Sequence, residues 1–306
     1  GPGGAPSGRL QGVEQEGEKT MGKIVIVGSG PAGCSAALYA ARAGQEVVVI
    51  SMGMGALSKA ELIQNYYGFE EGITGAELYR QGVAGAKAVG AEFITAEVVG
   101  LDYTGSLVVQ TTEGDYPADA VILATGAGRI APKIAGLAEH EGRGVSYCAT
   151  CDAFFYRGKT AAVLGSGEYA LHEVQALLPL AGRVILCTNG EPLTADFPEG
   201  VEICTEKLAA VEGEEKVSAL RLENGELLPV EGLFVALGVA GSAALARKLG
   251  APVENGRIVV DEKMQTGIPG LYAAGDCTGG LLQVCKAVYE GALAATEAIK
   301  QIRGKK

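Results

Sequence analysis

The apolar residues of this chain form short runs in which a strand-like pattern alternates with a helix-like one. Lys23–Val27 and Glu46–Ile50 are continuous apolar runs of strand length, and Cys34–Ala43 has helical spacing and ends at Gly44. A glycine-rich turn at 28–33 joins the first strand to the helix. This order predicts a βαβ unit, with which a doubly wound α/β fold begins.

A second unit of the same kind follows later in the chain. Thr160–Leu164 is predicted to be a strand, Gly165–Gly167 a turn, Glu168–Leu178 a helix and Arg183–Cys187 the next strand. A unit that occurs twice predicts an α/β protein with two Rossmann-like domains of the dinucleotide-binding type.

The segments before and after the second βαβ unit have patterns that fit the domain of the first βαβ unit. Before the second unit, the segments Glu92–Val99, Leu107–Thr112 and Tyr116 resemble short antiparallel strands or hairpins, and Ala120–Ala124 is predicted to be a further strand. After it, Leu271–Ala274 is a strand pattern, and a helix is expected from about Gln283 to Ile302. We therefore expect the second domain to be inserted in the first. The predicted divisions are an outer dinucleotide-type domain, 21–126 and 239–306, and a nested domain of the same type, 127–238, which carries a Cys-x-x-Cys pair.

Composition limits the class of protein further. The 306 residues are 48% hydrophobic and 20% charged, as expected for a soluble protein of about two domains. The net charge of −11 argues against nucleic-acid binding. The uncharged run 24–41 is long enough to suggest a membrane span, but its glycines split it into a strand and a helix. Because no signal peptide or lipidation motif is found, we expect a cytoplasmic location; residues 1–20, which have no apolar periodicity, are predicted to be a disordered expression scar.

The first glycine turn has the spacing of a dinucleotide-binding loop. Gly28 permits the tight turn, Gly30 lets the backbone approach a pyrophosphate, and Gly33 lets helix and strand pack closely. The N-terminus of the following helix offers free N–H groups to the phosphates. Ser51 closes the second strand, where many such enzymes place an acid for a ribose hydroxyl, so the adenosine must be held differently here.

Two further motifs suggest redox chemistry. Gly275-Asp276 follows a strand and precedes a helix, where a carboxylate can bond the ribityl chain of a flavin. Cys148 and Cys151 can close a disulfide and exchange it with another one, and Asp152 can carry the proton that a leaving thiolate needs. Two buried structural cysteines are the alternative. With one such pair and only two histidines in the chain, a metal site is not expected.

The second glycine turn lacks the residues that would recognise a nucleotide. The strand that follows it ends in Cys187-Thr188-Asn189-Gly190, without a basic residue for a 2′-phosphate or an acid for a ribose diol. A vestigial fold kept for structure is therefore favoured there. Of the other cysteines, Cys277 and Cys285 are either packing residues or a further redox thiol, and the remaining ones, Cys34, Cys187 and Cys204, are expected in the core.

In this order, GSGPAG, CATCDAFFYRGK leading into GSGEYA, and AGDC resemble the low-molecular-weight thioredoxin reductases. The resemblance implies FAD as cofactor, thioredoxin as substrate and a homodimer. It further implies that the outer domain, 21–126 and 239–306, is the FAD-binding domain and that the nested domain, 127–238, is NADPH-like. It also implies that Cys151 faces the flavin, that Cys148 attacks thioredoxin and that Asp152 is the acid/base. The implied FAD site consists of Gly28, Gly30, Pro31, Ala32, Gly33, Ser51, Leu57, Asn65, Thr125, Gly126, Gly275, Asp276, Gln283 and Val284.

The sequence departs from that family where the nested domain would bind NADPH. CTNGE stands in place of the family's basic motif, and residues 234–241 lack the usual proline. Both changes resemble the NADPH-independent branch, the ferredoxin-dependent flavin thioredoxin reductases and related deep-branching reductases, which implies ferredoxin as electron donor. The alternatives are an NADPH-dependent thioredoxin reductase and a flavin redox sensor or binding module without turnover. A ferredoxin–NADP reductase is disfavoured because it has no use for Cys148 and Cys151.

Overall fold

The structure is a computed structural model that describes residues 21–128 and 132–304; the predicted expression scar at 1–20 lies outside them. The strands are β1 (Lys23–Val27), β2 (Glu46–Ser51), β3 (Glu92–Thr95), β4 (Val98–Tyr103), β5 (Leu107–Thr111), β6 (Gly114–Ala118), β7 (Ala120–Leu123), β8 (Val145–Ser146), β9 (Thr160–Leu164), β10 (Arg183–Cys187), β11 (Glu202–Cys204), β12 (Leu208–Glu212), β13 (Ala219–Leu222), β14 (Leu227–Pro229), β15 (Gly232–Val235), β16 (Val253–Glu254), β17 (Arg257–Ile258) and β18 (Leu271–Ala273). The α-helices are α1 (Pro31–Arg42), α2 (Gly75–Ala88), α3 (Ala149–Asp152), α4 (Glu168–Leu177), α5 (Ser242–Lys248) and α6 (Val284–Gly304).

The first sheet is parallel and is built from both ends of the chain. Its strand order is β18-β7-β1-β2-β3. The β1 residues Ile24, Val25 and Ile26 are fully buried, because helices α1 and α6 cover one face of the sheet and an antiparallel sheet, β4-β5-β6, lies on the other side. A continuous apolar run is what a parallel strand covered on both faces requires.

The second sheet repeats this architecture within the first. Its order, β11-β10-β9-β15-β8, is again parallel, and a three-stranded sheet, β12-β13-β14, packs beside it. All its strands fall between β7 and β18 in the chain. The predicted α/β fold, with one Rossmann-like unit inserted in another, is confirmed.

The two places where the chain passes between the units lie side by side. Thr125 N–H donates to Ser242 Oγ at 3.0 Å, Ser242 N–H donates to Thr125 Oγ1 at 2.7 Å, and the two hydroxyls are 2.6 Å apart. Gly126 and Gly238, beside this contact, have positive φ of 86° and 63°, a conformation that glycine adopts without strain.

Three details of the sequence prediction were wrong. Glu92–Val99 is not one strand, because the chain leaves the parallel sheet after Thr95 and enters the antiparallel sheet at Val98. Helix α1 begins at Pro31 rather than Cys34, since proline lacks the N–H that the first helical position leaves unpaired. The seven-residue helix α5 was not predicted, because it is too short to give a clear periodicity.

The uncharged run 24–41 forms β1 and α1, as the glycines predicted. Among the helices within 21–128 and 132–304, none has the length and apolar character needed to cross a membrane.

Candidate active site

A deep cleft lies where the carboxyl ends of β1, β2, β7 and β18 face the first turns of α1 and α6. Its volume is about 1120 Å³, at the upper end for a small-molecule site. The predicted cofactor residues that line it are Gly28, Gly30, Pro31, Ala32, Ser51, Leu57, Asn65, Thr125, Gly126, Gly275, Asp276, Gln283 and Val284. Gly33 is the remaining predicted cofactor residue, and it packs against the backbone of the turn at Gly28. The fold therefore brings together residues from five separate segments of the sequence.

The glycine turn has the three properties that its spacing predicted. Gly28 has φ of +111°, and a Cβ there would lie 2.2 Å from the Ala124 carbonyl oxygen. A Cβ at Gly33 would lie 1.9 Å from the Gly28 oxygen, so helix and strand can approach only with glycine. A Cβ at Gly30, by contrast, would meet no atom of the described chain within 4 Å. The backbone at Gly30 is therefore open to the cleft, as a dinucleotide pyrophosphate requires.

The start of α1 is suited to an anion. Its first turn, Pro31 to Cys34, is uncharged, and within the described chain no side chain caps it. The first N–H groups of a helix lack partners inside the helix and carry a partial positive charge. The residues present thus fit the pyrophosphate of a dinucleotide such as FAD.

Ser51 belongs to a small hydroxyl cluster in place of the usual acid. Its Oγ lies 2.7 Å from the Oγ of the buried Ser29, which also donates to the Gly53 oxygen at 3.2 Å and lies 3.1 Å from the Tyr79 hydroxyl. The cluster joins the glycine turn to the loop after β2 without adding negative charge.

A second network holds the Asp276 loop and was not anticipated from the sequence. Lys286 on α6 donates to the Gly275 oxygen at 2.7 Å and to Thr278 Oγ1 at 2.8 Å. Glu290 accepts from Gly275 N–H at 2.9 Å and from the Thr278 hydroxyl at 2.7 Å. Helix α6 therefore fixes the turn that presents Asp276 to the cleft, and the Lys–x₃–Glu spacing on its first turns was the available signal.

Two predicted cofactor residues from distant segments contact each other. Asn65 Nδ2 donates to Gln283 Oε1 at 2.9 Å, across 218 residues of sequence. This contact places the loop after the Gly55–Lys59 3₁₀ helix against the N-terminus of α6 at the mouth of the cleft.

Cys148 and Cys151 form a disulfide at the start of α3, with their Cα atoms 5.3 Å apart. Cys148 is 5% exposed, whereas Cys151 is exposed to solvent. The Lys248 carbonyl oxygen on α5 lies 3.1 Å from Cys151 Sγ. Among the described residues that line the cleft, neither cysteine appears. In this arrangement the pair contacts α5, and the predicted roles, Cys151 toward the flavin and Cys148 toward thioredoxin, stay predictions.

Asp152 is linked to the disulfide through a residue that the sequence analysis missed. The half-buried Asp152 accepts from Ser146 Oγ at 2.6 Å, and the same Oγ accepts from Cys148 N–H at 3.1 Å. Ser146, 8% exposed, stands two residues before the first cysteine, on β8. It orients the carboxylate beside the cysteine segment, and nothing in the motif pointed to it.

A buried ion pair supports the same segment. Lys248 on α5 donates to Glu173 Oε1 on α4, and both side chains are 1% exposed. The other carboxylate oxygen, Oε2, accepts from Ala149 N–H at 2.7 Å, in the first turn of α3. The sequence could not reveal this pair, because its members are 75 residues apart and belong to no motif.

The nested glycine turn has the predicted shape but is less open at its second glycine than the first turn. A Cβ at Gly165 would lie 2.1 Å from the Ala236 oxygen, so this position needs glycine for packing. At Gly167, Thr194 Oγ1 already lies 3.0 Å from where a Cβ would be, and Thr194 N–H donates to the Ser166 oxygen at 2.9 Å. Glu168 adds a negative charge to the first turn of α4. These features oppose a pyrophosphate at this turn.

The other cysteines differ in their surroundings. Burial raises the pKa of the Cys34 thiol to about 12 and that of Cys277 to about 11, so both stay protonated as core residues. Cys187 is fully buried as expected, whereas Cys204 is only partly buried and Cys285 is exposed.

Comparison with known proteins identifies the class. Residues 22–291 match the family of pyridine nucleotide-disulphide oxidoreductases. The thioredoxin reductase of Aquifex aeolicus is 35% identical over 92% of this chain and 94% of its own length. The atypical thioredoxin reductase TRi of Desulfovibrio vulgaris Hildenborough superposes with a TM-score of 0.87 at 40% identity, over 92% of this chain and 98% of its own. A ferredoxin–flavin thioredoxin reductase of Clostridium acetobutylicum gives 0.71 at 35% identity, over 93% and 99%.

The fold and the cleft therefore define a flavin-dependent disulfide oxidoreductase. The chain belongs to the pyridine nucleotide-disulphide oxidoreductase family and, within it, to the thioredoxin reductases. Its cofactor is FAD, as the glycine turn and the AGDC motif predicted.

Proposed function

We propose that this chain reduces thioredoxin through Cys148 and Cys151, with electrons from reduced ferredoxin. FAD, when bound in the cleft, accepts electrons singly and supplies a pair to a disulfide. The fourteen predicted cofactor residues would hold it, with Gly30 and the start of α1 at the pyrophosphate. The nested domain, 127–238, would carry the disulfide and would no longer serve as a nucleotide site.

One contrast supports ferredoxin rather than NADPH. The two glycine turns are equivalent in fold, yet the Gly30 face is open and the Gly167 face is covered by Thr194. To bind a dinucleotide, the protein backbone must come close to the pyrophosphate at the second glycine of the turn. This contrast supports a protein that keeps one dinucleotide site, for FAD, and no longer uses the other.

The thiol chemistry follows from the residues around the pair. Once reduced, Cys148 as a thiolate attacks the thioredoxin disulfide, and a mixed disulfide forms as one thioredoxin thiolate leaves. Cys151 then attacks Cys148 Sγ, which closes the Cys148–Cys151 disulfide and releases the second thiolate. Asp152, held by Ser146, would transfer the protons.

The surface beside the disulfide suits a protein partner. Phe154 and Phe155, in the 3₁₀ turn after α3, are 66% and 68% exposed, and the Arg157 guanidinium lies 5.5 Å from the Phe154 ring. Exposed aromatic residues with a neighbouring arginine are the composition of interface hot spots. We propose that thioredoxin binds there.

The proposed cycle needs a second arrangement of the two units. The disulfide, at the start of α3 and against α5, is not among the residues that line the cleft, so the nested unit would turn to bring it to the flavin and then to thioredoxin. The adjacent chain crossings at Gly126 and Gly238 can absorb such a rotation.

The test is an anaerobic visible spectrum of the purified holoprotein, recorded with NADPH and, separately, with photoreduced ferredoxin, each with thioredoxin present. Bleaching of the flavin by ferredoxin alone, with thioredoxin thiols appearing, is the expected result. Cys148→Ser and Cys151→Ser should each abolish thiol release while FAD stays bound. Wild-type turnover by either variant would refute the thiol mechanism.

An NADPH-dependent thioredoxin reductase is the second candidate. Lys207 supports it, because its side chain packs against Gly190, just after β10, where a cation could meet a 2′-phosphate. Rapid bleaching by NADPH would establish this alternative and overturn the ferredoxin proposal. A reducible flavin without thioredoxin reduction by any donor would instead indicate a redox sensor. The homodimer and the cytoplasmic location stay predictions, which sedimentation and cell fractionation can test.

A further inference from the structure

Two cysteines outside the CxxC motif occupy neighbouring positions in the nested sheet. Cys187 ends β10 and Cys204 ends β11, and they are direct partners in the parallel register. Registered residues of a parallel pair point to the same face, and adjacent strands lie ~4.8 Å apart. This spacing falls within the Cα separation that a disulfide can bridge, ~4.4–6.8 Å. Neither cysteine is in a disulfide in this structure.

Hydrogen bonds join the residues that follow Cys187 to the backbone at and after Cys204. Thr188 N–H donates to the Cys204 oxygen at 3.0 Å, and Asn189 Oδ1 accepts from Leu208 N–H at 2.8 Å. Because β11 is the edge strand of its sheet, Cys204 reaches solvent, whereas Cys187, one strand further in, is fully buried.

The two thiols are unequal. The hydrogen bond from the Cys187 thiol, aided by the Glu206 N–H, lowers the pKa of Cys204 to about 6, against partial burial and the carboxylates of Glu206 and Glu226. The same hydrogen bond and burial raise the pKa of Cys187. An accessible thiolate beside a protonated partner thiol is the arrangement found in peroxide-sensing cysteine pairs.

We propose that Cys204 and Cys187 are a peroxide-reactive thiol pair, distinct from the catalytic CxxC. The Cys204 thiolate attacks hydrogen peroxide, the O–O bond breaks, and a sulfenic acid and hydroxide form. The Cys187 sulfur then attacks Cys204 Sγ, an S–S bond forms, and the hydroxyl leaves as water with the Cys187 proton. Two thiols are oxidised and one peroxide is reduced to two waters; a small dithiol reverses the change by exchange.

The sequence makes the product easy to detect. No Lys or Arg lies between Arg183 and Lys207, so trypsin leaves both cysteines on one peptide, 184–207. The reduced holoprotein is treated anaerobically with equimolar hydrogen peroxide, alkylated and digested. The expected peptide is unalkylated and lighter than the dithiol form by two hydrogen atoms, and cleavage after acidic residues should yield two fragments that stay joined until a dithiol is added.

Three variants separate this proposal from plain surface oxidation. Cys204→Ser should leave Cys187 reduced and thioredoxin reduction unchanged. With excess hydrogen peroxide, Cys187→Ala should let Cys204 proceed to the sulfinic acid, because the sulfenic acid then reacts with a second peroxide. The same variant should slow alkylation of Cys204 near pH 6.5 by at least roughly tenfold, since each pKa unit is a factor of ten in thiolate. Cys187→Ser keeps a hydroxyl donor and should slow that alkylation less, which controls for loss of folding. Two results would overturn the proposal. The first is full alkylation of both Cys187 and Cys204 after peroxide has oxidised Cys285. The second is sulfinic acid at Cys204 in the parent protein, which retains Cys187.

Discussion

The Lys248–Glu173 pair offers the sharpest test of the arrangement seen here. Both side chains are 1% exposed, and the pair joins α5 to α4 while Glu173 also binds the first turn of α3. Lys248→Met keeps the length of the side chain but leaves the carboxylate buried without a cation. Removing one member of a buried ion pair typically costs about 3–5 kcal/mol. At roughly 2–4 °C per kcal/mol, the midpoint of thermal unfolding should fall by at least about 6 °C.

The matched control removes both charges. In Lys248→Met/Glu173→Gln, the glutamine carbonyl can still accept from Ala149 N–H, and no charge remains in the low-dielectric interior. We expect this double variant to recover most of the lost stability. Arg80→Met breaks an exposed pair with Glu77 and should leave the midpoint unchanged, because exposed ion pairs are screened by water.

The assay is differential scanning calorimetry of the holoprotein with the disulfide oxidised. A Lys248→Met variant as stable as the parent would refute the reasoning, since it would mean that the pair is hydrated in solution. A double variant that is no better than the single one would show that the loss comes from packing of the lysine stem rather than from the unpaired charge.

Three other outcomes follow from the site. Gly30→Ala, whose Cβ would enter the open cleft, should lose FAD on gel filtration while keeping its fold, and the matched Gly167→Ala should retain FAD, because the proposed FAD site is at the first turn and does not include Gly167. Asp152→Asn should slow thioredoxin reduction by ~10²-fold with FAD bound; an unchanged rate would remove Asp152 from proton transfer. Phe154→Ala should raise KM for thioredoxin several-fold and leave reduction of a small disulfide unaltered; equal loss with both substrates would contradict a docking role.

The sequence predicted the first glycine turn almost completely because its constraint is local. Gly28 and Gly33 are required by backbone atoms within a few residues or on the adjoining strand, so a short motif contains the information. The insertion of one unit in the other followed from the repeated βαβ pattern, for the same reason. The strand break after Thr95 was missed because the apolar pattern continues while only the pairing partner changes.

The residues that contact the disulfide segment could not be predicted from a local motif. Ser146, Glu173 and Lys248 act through single contacts between segments that only the tertiary fold brings together. The contact of Thr194 with the nested turn belongs to the same class, since nothing in the GSGEYA motif indicates that a later loop approaches it. Absence of a basic motif favoured a vestigial fold at this turn, and the Thr194 contact at Gly167 is a feature of the structure in the same direction.

The ion pair between Lys248 and Glu173, which supports the disulfide segment, is polar, and this suits a nested unit that is proposed to rotate during turnover. The proposed mechanism uses Cys148 to attack thioredoxin, and because Cys148 is buried here while Cys151 is exposed, that mechanism needs a second arrangement during turnover. An apolar contact of similar size would lose its full burial energy on opening, whereas a buried ion pair regains hydration that nearly balances its Coulomb attraction. The geometry and charge of Lys248 and Glu173 can therefore fix the position of α5 on α4 in one arrangement. The ion pair does not thereby make the rotation out of this arrangement slow. We expect Lys248→Met to shift the populations of the two arrangements, rather than only to weaken the fold.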